Sequence, residues 1–334
     1  MQVQHVLEQA QERRYWRVMM RHMYPLKLKP VYDRRIWGND KLAKIRNNPE
    51  SHGSSWDISA HPHADNTVLN GEYKGMKLSE MLDTYPEEML GEKKRSQMLR
   101  LSILDTAATL SVQVHPTDDY AHKYENDEGK TEAWYIIKAE PNSTLIAGTT
   151  AKSVDEIRQA VENDTVEDIC KKHDMEEGDL ICIDAGQLHA MGAGMIALEV
   201  SQNSDVTYRF YDFHRKDDQG NERELHVKKS LDVVDCTKQC EKEAFPLDKK
   251  LINKPEKVLD IDEFTMEILD LDGEYVLETD KKRFFCLTNV ENDITLECEG
   301  EVMDFPFTES IFIPAQCENV TLKGKGRIII SYVR

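Results

Sequence analysis

No apolar run in this 334-residue chain approaches the ~20 residues that a membrane-spanning helix needs, and no apolar stretch follows a basic start as in a secretory leader. Basic residues are outnumbered, 43 against 62 acidic, for a formal net charge of -19. Such a surface repels nucleic acid and anionic membrane, so neither is expected as a partner. An anionic small molecule would need Lys and Arg to converge locally. Cysteine pattern is also lacking. The seven cysteines (170, 182, 236, 240, 286, 298 and 317) are odd in number and scattered, and only Cys236 and Cys240 are near neighbours. That excludes a disulfide framework and a zinc knuckle, and reads as reduced thiols in a cytoplasmic protein. What is present, 40% hydrophobic and 31% charged residues, suits a soluble chain with a real core.

Residues 1–22 read as an N-terminal extension. Val3, Val6, Leu7 and Ala10 keep a helical period ahead of a basic, aromatic stretch from Arg13 to Arg21. It is either an extra helix or the product of a start placed upstream of Met23, and no function is assigned to it. From residue 25 the pattern is short strands and loops. Thr109 to His115 and Thr131 to Lys138 alternate or are rich in β-branched and aromatic residues, and a helix capped by Thr117 follows Pro116. Two helices are expected between 153 and 175, one opened by the capping box Ser153/Glu156 and one by Thr165/Asp168. Strands resume at 179–183, 195–200 and 206–211. The expected organisation is a catalytic block over 23–240, a charged linker over 241–257 and a C-terminal β-domain over 258–334.

A weak repeat links the two blocks. Glu176 to Gly186 and Phe307 to Ala315 both run from an acidic turn through an apolar strand to a small-residue turn. The first copy continues Gln187-Leu188-His189; the second continues Gln316-Cys317-Glu318 and has no histidine. The expected fold is therefore mainly β, two jelly-roll β-sandwiches, the second degenerate, with a few inserted helices.

Side chains on a strand alternate, so Gln113 and His115 share a face, as do Lys130, Glu132 and Trp134. His189 sits in the turn after an apolar strand. Each of these alone is more often a solvated face or a loop residue than a ligand. Together they supply an amide oxygen, two imidazoles and a carboxylate, a set suited to Zn²⁺ with one position open. Arg209 falls on the strand face opposite Tyr208 and Phe210, where a guanidinium is costly unless an anion meets it.

These residues stand within longer motifs: Leu110-Ser111-Val112-Gln113-Val114-His115-Pro116, Gly129-Lys130-Thr131-Glu132-Ala133-Trp134-Tyr135, Ala185-Gly186-Gln187-Leu188-His189-Ala190, Thr207-Tyr208-Arg209-Phe210-Tyr211-Asp212-Phe213-His214-Arg215 and Glu224-Leu225-His226-Val227-Lys228, with Ile36-Trp37-Gly38 and Ser55-Trp56-Asp57-Ile58-Ser59 before them. In order and spacing the chain resembles the type I phosphomannose isomerases in their short bacterial form, from about Pro25 to Asp235 and more loosely beyond. One departure is Gly53-Ser54-Ser55-Trp56, where members often carry a glutamate at the second position.

The resemblance implies a cupin fold and one Zn²⁺ per chain, held by Gln113, His115, Glu132 and His189. It implies Lys130 and Arg209 in the active site, with Trp37 and Lys228 toward the substrate. The implied reaction interconverts mannose 6-phosphate and fructose 6-phosphate through a cis-enediol, feeding mannose use or GDP-mannose synthesis, in a monomer or weak homodimer. Lys130, held near the ion and Arg209, is a candidate proton shuttle, and His61, His63 and His226 are alternatives for the base. Two rival classes are an iron cupin oxygenase, disfavoured by Lys130 and Arg209, and a non-catalytic sugar-binding protein, disfavoured by the complete ligand set.

Overall fold

The strand Glu132–Ala139 shows why the molecule is layered. Glu132, Trp134 and Ile136 point to one side, Ala133, Tyr135 and Ile137 to the other, and all six are buried. A sheet that is apolar on both faces must be covered on both. The computed structural model, which describes residues 22–217 and 219–334, shows what covers it. The helical extension expected over residues 1–22 lies outside the described residues except for His22.

The middle layer is a seven-stranded antiparallel sheet in the order Glu243–Ala244, Asp179–Ile183, Glu132–Ala139, Met195–Gln202, Leu99–Asp105, Gly53–Ile58, Val31–Arg34. Against one face lies a five-stranded sheet, Tyr208–Tyr211, Val112–Val114, His189–Met191, Thr144–Thr149 and Cys170–Asp174. Trp37, Leu104, Trp134, Ile136, Ile181 and Ala197 fill the space near this face. Against the other face packs a nine-stranded sheet built mainly from the C-terminal block, with Tyr135, Ile137, Ile103 and Leu198 meeting Met266, Ile268, Phe312 and Ile329 in a shared core. Mainly β with few helices, the architecture agrees with the β-sandwiches expected from the alternation and the repeat and with the cupin fold that the resemblance implies. Among the described residues no helix is long and apolar enough to cross a membrane.

The two copies of the repeat occupy matching positions. Asp179–Ile183 pairs with Glu132–Ala139, and Ser310–Ile313 pairs with Phe285–Asn289. After the first copy the chain reaches His189; after the second, Cys317 turns into the core of the C-terminal sheet.

Several local expectations are corrected. The helix Val154–Glu162 forms, with Ser153 Oγ accepting the Glu156 N–H. The second helix does not: Val166–Ile169 is one 3₁₀ turn, followed by the strand Cys170–Asp174 paired with Thr144–Thr149. A free sheet edge won over a weak helical pattern that Thr165 does not cap. His189 opens a strand rather than sitting in the turn before it. Leu26–Lys29 leaves its own block and pairs with Ser310–Ile313, so both ends of the described chain lie in the nine-stranded sheet.

A buried ion pair within the C-terminal sheet also reaches across to the middle sheet through Tyr135. Arg327, 1% exposed, donates from Nε and Nη2 to Asp270 at 2.7 and 3.0 Å, and from Nη1 to Tyr135 Oη at 3.1 Å and to the Phe245 carbonyl. Removing one partner strands the other charge in a dry interior. Arg327→Met is expected to cost about 3–5 kcal/mol in urea unfolding, and adding Asp270→Asn to recover part of it. A single-variant loss below about 1 kcal/mol would show that the pair is solvated.

Candidate metal centre

Three neighbouring strands set the first row of the site. Gln113 lies directly across from His189 on one side and Arg209 on the other, so their side chains leave the five-stranded sheet on one face. His115, two residues on, shares that face. Glu132 comes from the facing sheet, at the start of its strand and in register with Ile183 and Ser201. Close backbone approach fixes the loop between them. A Cβ on Gly129 would stand 2.4 Å from the Asp118 nitrogen, and the Lys130 N–H donates to the Pro116 carbonyl at 3.1 Å.

The three ionisable groups converge in a volume without exposure. His115 Nε2 and His189 Nε2 are 3.1 Å apart, Glu132 Oε1 is 3.2 Å from His189 Nε2, and Glu132 Oε2 is 3.5 Å from His115 Nε2. The rings' other nitrogens settle the protons. His115 Nδ1–H donates to the Val206 carbonyl at 2.8 Å and His189 Nδ1–H to the Gln187 carbonyl at 2.8 Å. In the neutral rings both Nε2 atoms therefore present lone pairs to one another and to a carboxylate. Both Glu132 oxygens are buried without a well-aligned hydrogen bond, although Lys130 Nζ stands 2.5 Å from Oε2 as an ion pair. Lone pairs facing lone pairs in a dry site repel unless a cation lies among them, and backbone carbonyls behind ligating imidazoles are the usual outer support of a metal site. This group could hold a metal ion. Gln113 Nε2 lies 3.2 Å from His189 Nε2; turning the amide over puts its oxygen in that place, as a fourth donor.

The charges around the cluster alternate. Burial alone raises the Glu132 carboxyl, but the Lys130 ammonium and then His115 overcome it and hold Glu132 well below the usual carboxylate range. Lys130 Nζ is also 3.2 Å from Glu199 Oε1. Glu199 in turn pairs with Arg100 and accepts from Trp134 Nε1 at 3.4 Å. Lys130 thus sits between two carboxylates, and the like charge expected beside it from Arg209 is not what contacts it. Glu199 and Arg100 are the residues that sequence reasoning missed. Their signal was a charge enclosed by apolar strand neighbours: Leu198 and Val200 flank one, Leu99 and Leu101 the other.

Arg209 is half-buried and has no ion-pair partner among the described residues. Its Nη1 donates to the Glu224 carbonyl at 2.7 Å and its Nε is buried without a partner. Burial first, then the Arg223 guanidinium, lowers its pKa. Trp37 is buried in the core on the same side of the middle sheet. Lys228 is exposed on the helix Val227–Val233 and does not join the cluster. Nor do the three alternative bases: His226 Nδ1 accepts the Arg209 N–H at 3.1 Å, while His61 and His63 pair with Asp127 and Asp205 beside a separate cavity of about 400 Å³.

An antiparallel sandwich with two imidazoles and a carboxylate converging between its sheets defines a cupin with a metal-type site. The comparisons with known proteins narrow this. Residues 25–145 match the family model described as phosphomannose isomerase type I, catalytic domain, and residues 255–333 match that described as mannose-6-phosphate isomerase, cupin domain. The mannose-6-phosphate isomerase ManA of Bacillus subtilis is 33% identical over 313 residues, covering 92% of this chain and 99% of the relative. The mannose-6-phosphate isomerase of Streptococcus mutans is 42% identical over 214 residues, 63% of this chain and 67% of the relative. The crystal structure of the Bacillus subtilis mannose 6-phosphate isomerase superposes with a TM-score of 0.83 at 31% identity, covering 93% of this chain and all of that one. The chain belongs to the type I phosphomannose isomerase family, and it is an isomerase.

The buried histidine has a consequence for stability. Burial, with the Lys130 charge second, pushes His115 down to about 4, against about 6.5 in an unfolded chain. Between those values the unfolded chain binds a proton that the folded chain refuses, so this group's contribution falls as pH drops through the window. Metal-free wild type is expected to lose roughly 3 kcal/mol more than His115→Gln between pH 7 and pH 4. Parallel pH profiles for the two proteins would contradict the placement.

Proposed function

We propose that this isomerase interconverts mannose 6-phosphate and fructose 6-phosphate through a cis-enediol(ate), with one zinc ion per chain held by Gln113, His115, Glu132 and His189. The observation that carries the reading is the convergence of two imidazole lone pairs and a carboxylate that is ion-paired to Lys130 but has no well-aligned hydrogen bond, with both Nδ1–H groups tied to carbonyls. Nitrogen and oxygen donors of this kind suit zinc. When bound, the ion would polarise the substrate carbonyl and stabilise negative charge on its oxygens.

The remaining work falls to the chain. Gln113 adds a donor without adding charge. Lys130 carries a proton at Nζ beside the cluster, and Glu199, outside the ligand set and 3.2 Å away, is placed to exchange it. Arg209 offers an unpaired donor at the level of Gln113 for the enediolate or the phosphate. Trp134 lies against His189, and Trp37 and Lys228 are the residues assigned toward the substrate, Trp37 from the apolar core and Lys228 from the exposed helix Val227–Val233. The same proposal divides the chain into a catalytic block over 23–240, a linker over 241–257 and a C-terminal β-domain over 258–334 without chemistry of its own. It describes a cytoplasmic monomer or weak homodimer, whose net charge of -19 disfavours nucleic acid and membrane.

A coupled assay for fructose 6-phosphate tests it. Activity on mannose 6-phosphate should disappear with a chelator and return with zinc. Arg209→Lys keeps charge and loses the planar fork, so turnover should fall roughly 10²- to 10³-fold with zinc content and melting temperature near wild type. Unchanged kinetics in that variant would make Arg209 structural.

A further inference from the structure

The C-terminal block supplies no ligand to the metal cluster, yet two of its thiols face each other. Cys298 ends the strand Ile294–Cys298, and Cys317 lies in the loop after Ser310–Ile313, where the second copy of the repeat runs out. Their sulfurs are 3.8 Å apart. Both side chains are buried, but Glu299, Gln316 and Glu318 beside them in sequence are exposed, so the pair lies just beneath the surface. The seven cysteines are not equivalent. Burial pushes Cys286 up, and Cys170 and Cys182 up to about 12; Cys236 and Cys240 are raised as well. Cys298 alone falls below the ordinary thiol value, because a hydrogen bond from the Cys317 thiol outweighs its burial, with the Lys281 charge adding to the effect. The same bond raises Cys317. A sulfur that ionises readily, with a second thiol in contact, is the arrangement of an attacking and a resolving cysteine.

The two thiols also belong to parts of the chain that are held differently. The loop of Cys317 is a joint between the blocks: the Ala315 N–H donates to the Met89 carbonyl at 3.0 Å and the Gln316 N–H to the Glu88 carbonyl at 2.9 Å, both on the helix Pro86–Leu90. Lys281 Nζ and Thr279 Oγ1 donate to the Cys317 carbonyl at 2.7 and 2.8 Å. Cys298 belongs to a hairpin at the sheet's margin, whose second strand, Glu301–Phe305, pairs with Ile294–Cys298 alone among the described residues. We propose that Cys298 and Cys317 are a reversible dithiol–disulfide couple, oxidised by a peroxide, whose closed form fastens this hairpin to the loop that docks on the catalytic block. The Cys298 thiolate attacks one peroxide oxygen and becomes a sulfenic acid; the hydroxide released takes up the thiol's proton as water. The Cys317 sulfur then attacks the Cys298 sulfur, and the hydroxyl leaves with the Cys317 proton as a second water. Two thiols and one peroxide thus give one disulfide and two waters. The sulfurs have to close from 3.8 Å to about 2.05 Å. Cys298 stands beyond the residues paired with Val320–Tyr332 and next to the turn Glu299-Gly300, and Cys317 is in a loop, so side-chain and loop adjustment can supply that approach.

Peptide mapping of the full-length chain under non-reducing conditions tests the couple. After brief exposure to hydrogen peroxide, two of the seven cysteines should become unavailable to an alkylating reagent, and a linked peptide should join residues 298 and 317. Dithiothreitol should restore both thiols. Cys298 should react roughly 10-fold or more faster than the fully buried Cys286. The oxidised chain should melt about 5 °C above the reduced one, since the bond closes a loop of ~20 residues. In Cys317→Ser, Cys298 has no resolving partner and should stop at a sulfenic acid that dimedone traps; in Cys298→Ser, Cys317 should stay reduced. Wild type that keeps both thiols under peroxide, a link between other cysteines in place of this one, or a link between 298 and 317 that forms only in urea would overturn the proposal.

Discussion

Two imidazole nitrogens and a carboxylate face one another within 3.5 Å, in an interior with no water-accessible surface on Glu132 or His189. Each neutral imidazole donates its one N–H in a hydrogen bond to a backbone carbonyl. The rest of the site is arranged around this concentration of electron pairs. Leaving it uncompensated would be among the costlier features of the core, because a buried group without a partner keeps its full desolvation penalty. A metal ion held by this group would resolve it. The alternating Lys130, Glu199 and Arg100 then continue the balance of charge away from the centre, each meeting opposite charge on its neighbours.

That arrangement depends on two sheets keeping register. Gln113, His115 and His189 belong to the five-stranded sheet, Glu132 and Glu199 to the seven-stranded one, and a slip of one residue in either would turn the ligands out of the interior. The nine-stranded sheet is the backing that holds the middle layer in place. It shares an apolar core with that sheet and is anchored to it by Arg327, Asp270 and Tyr135. The C-terminal block therefore supports the chemistry by packing, although its own copy of the repeat ends in Cys317 and not in a histidine.

Much of this was legible because β-structure has a period of two. Alternation alone put Gln113 and His115 on one face and Lys130, Glu132 and Trp134 on another, and the resemblance of the motifs supplied the pairing between them. What alternation cannot give is register between strands distant in sequence. The contacts of Glu199 with Lys130 and Arg100 depend on pairing across residues 100, 132 and 201, and no local signal carries that. The strand Cys170–Asp174 was obscured for a similar reason. Its residues hold a weak helical pattern, and only the presence of an open edge at Thr144–Thr149 makes it a strand. The pairing of Leu26–Lys29 with Ser310–Ile313 spans nearly the whole chain and lies beyond any window of local pattern.

The account stands on a single cation among His115, His189, Glu132 and Gln113. Anomalous diffraction from crystals grown with zinc, recorded on either side of the zinc absorption edge, examines that point without reference to turnover. A single strong peak about 2.0–2.2 Å from His115 Nε2, His189 Nε2 and a Glu132 oxygen is the predicted result. A fully ordered cluster with no peak, or a peak at His61, His63 and Asp205 instead, would contradict it.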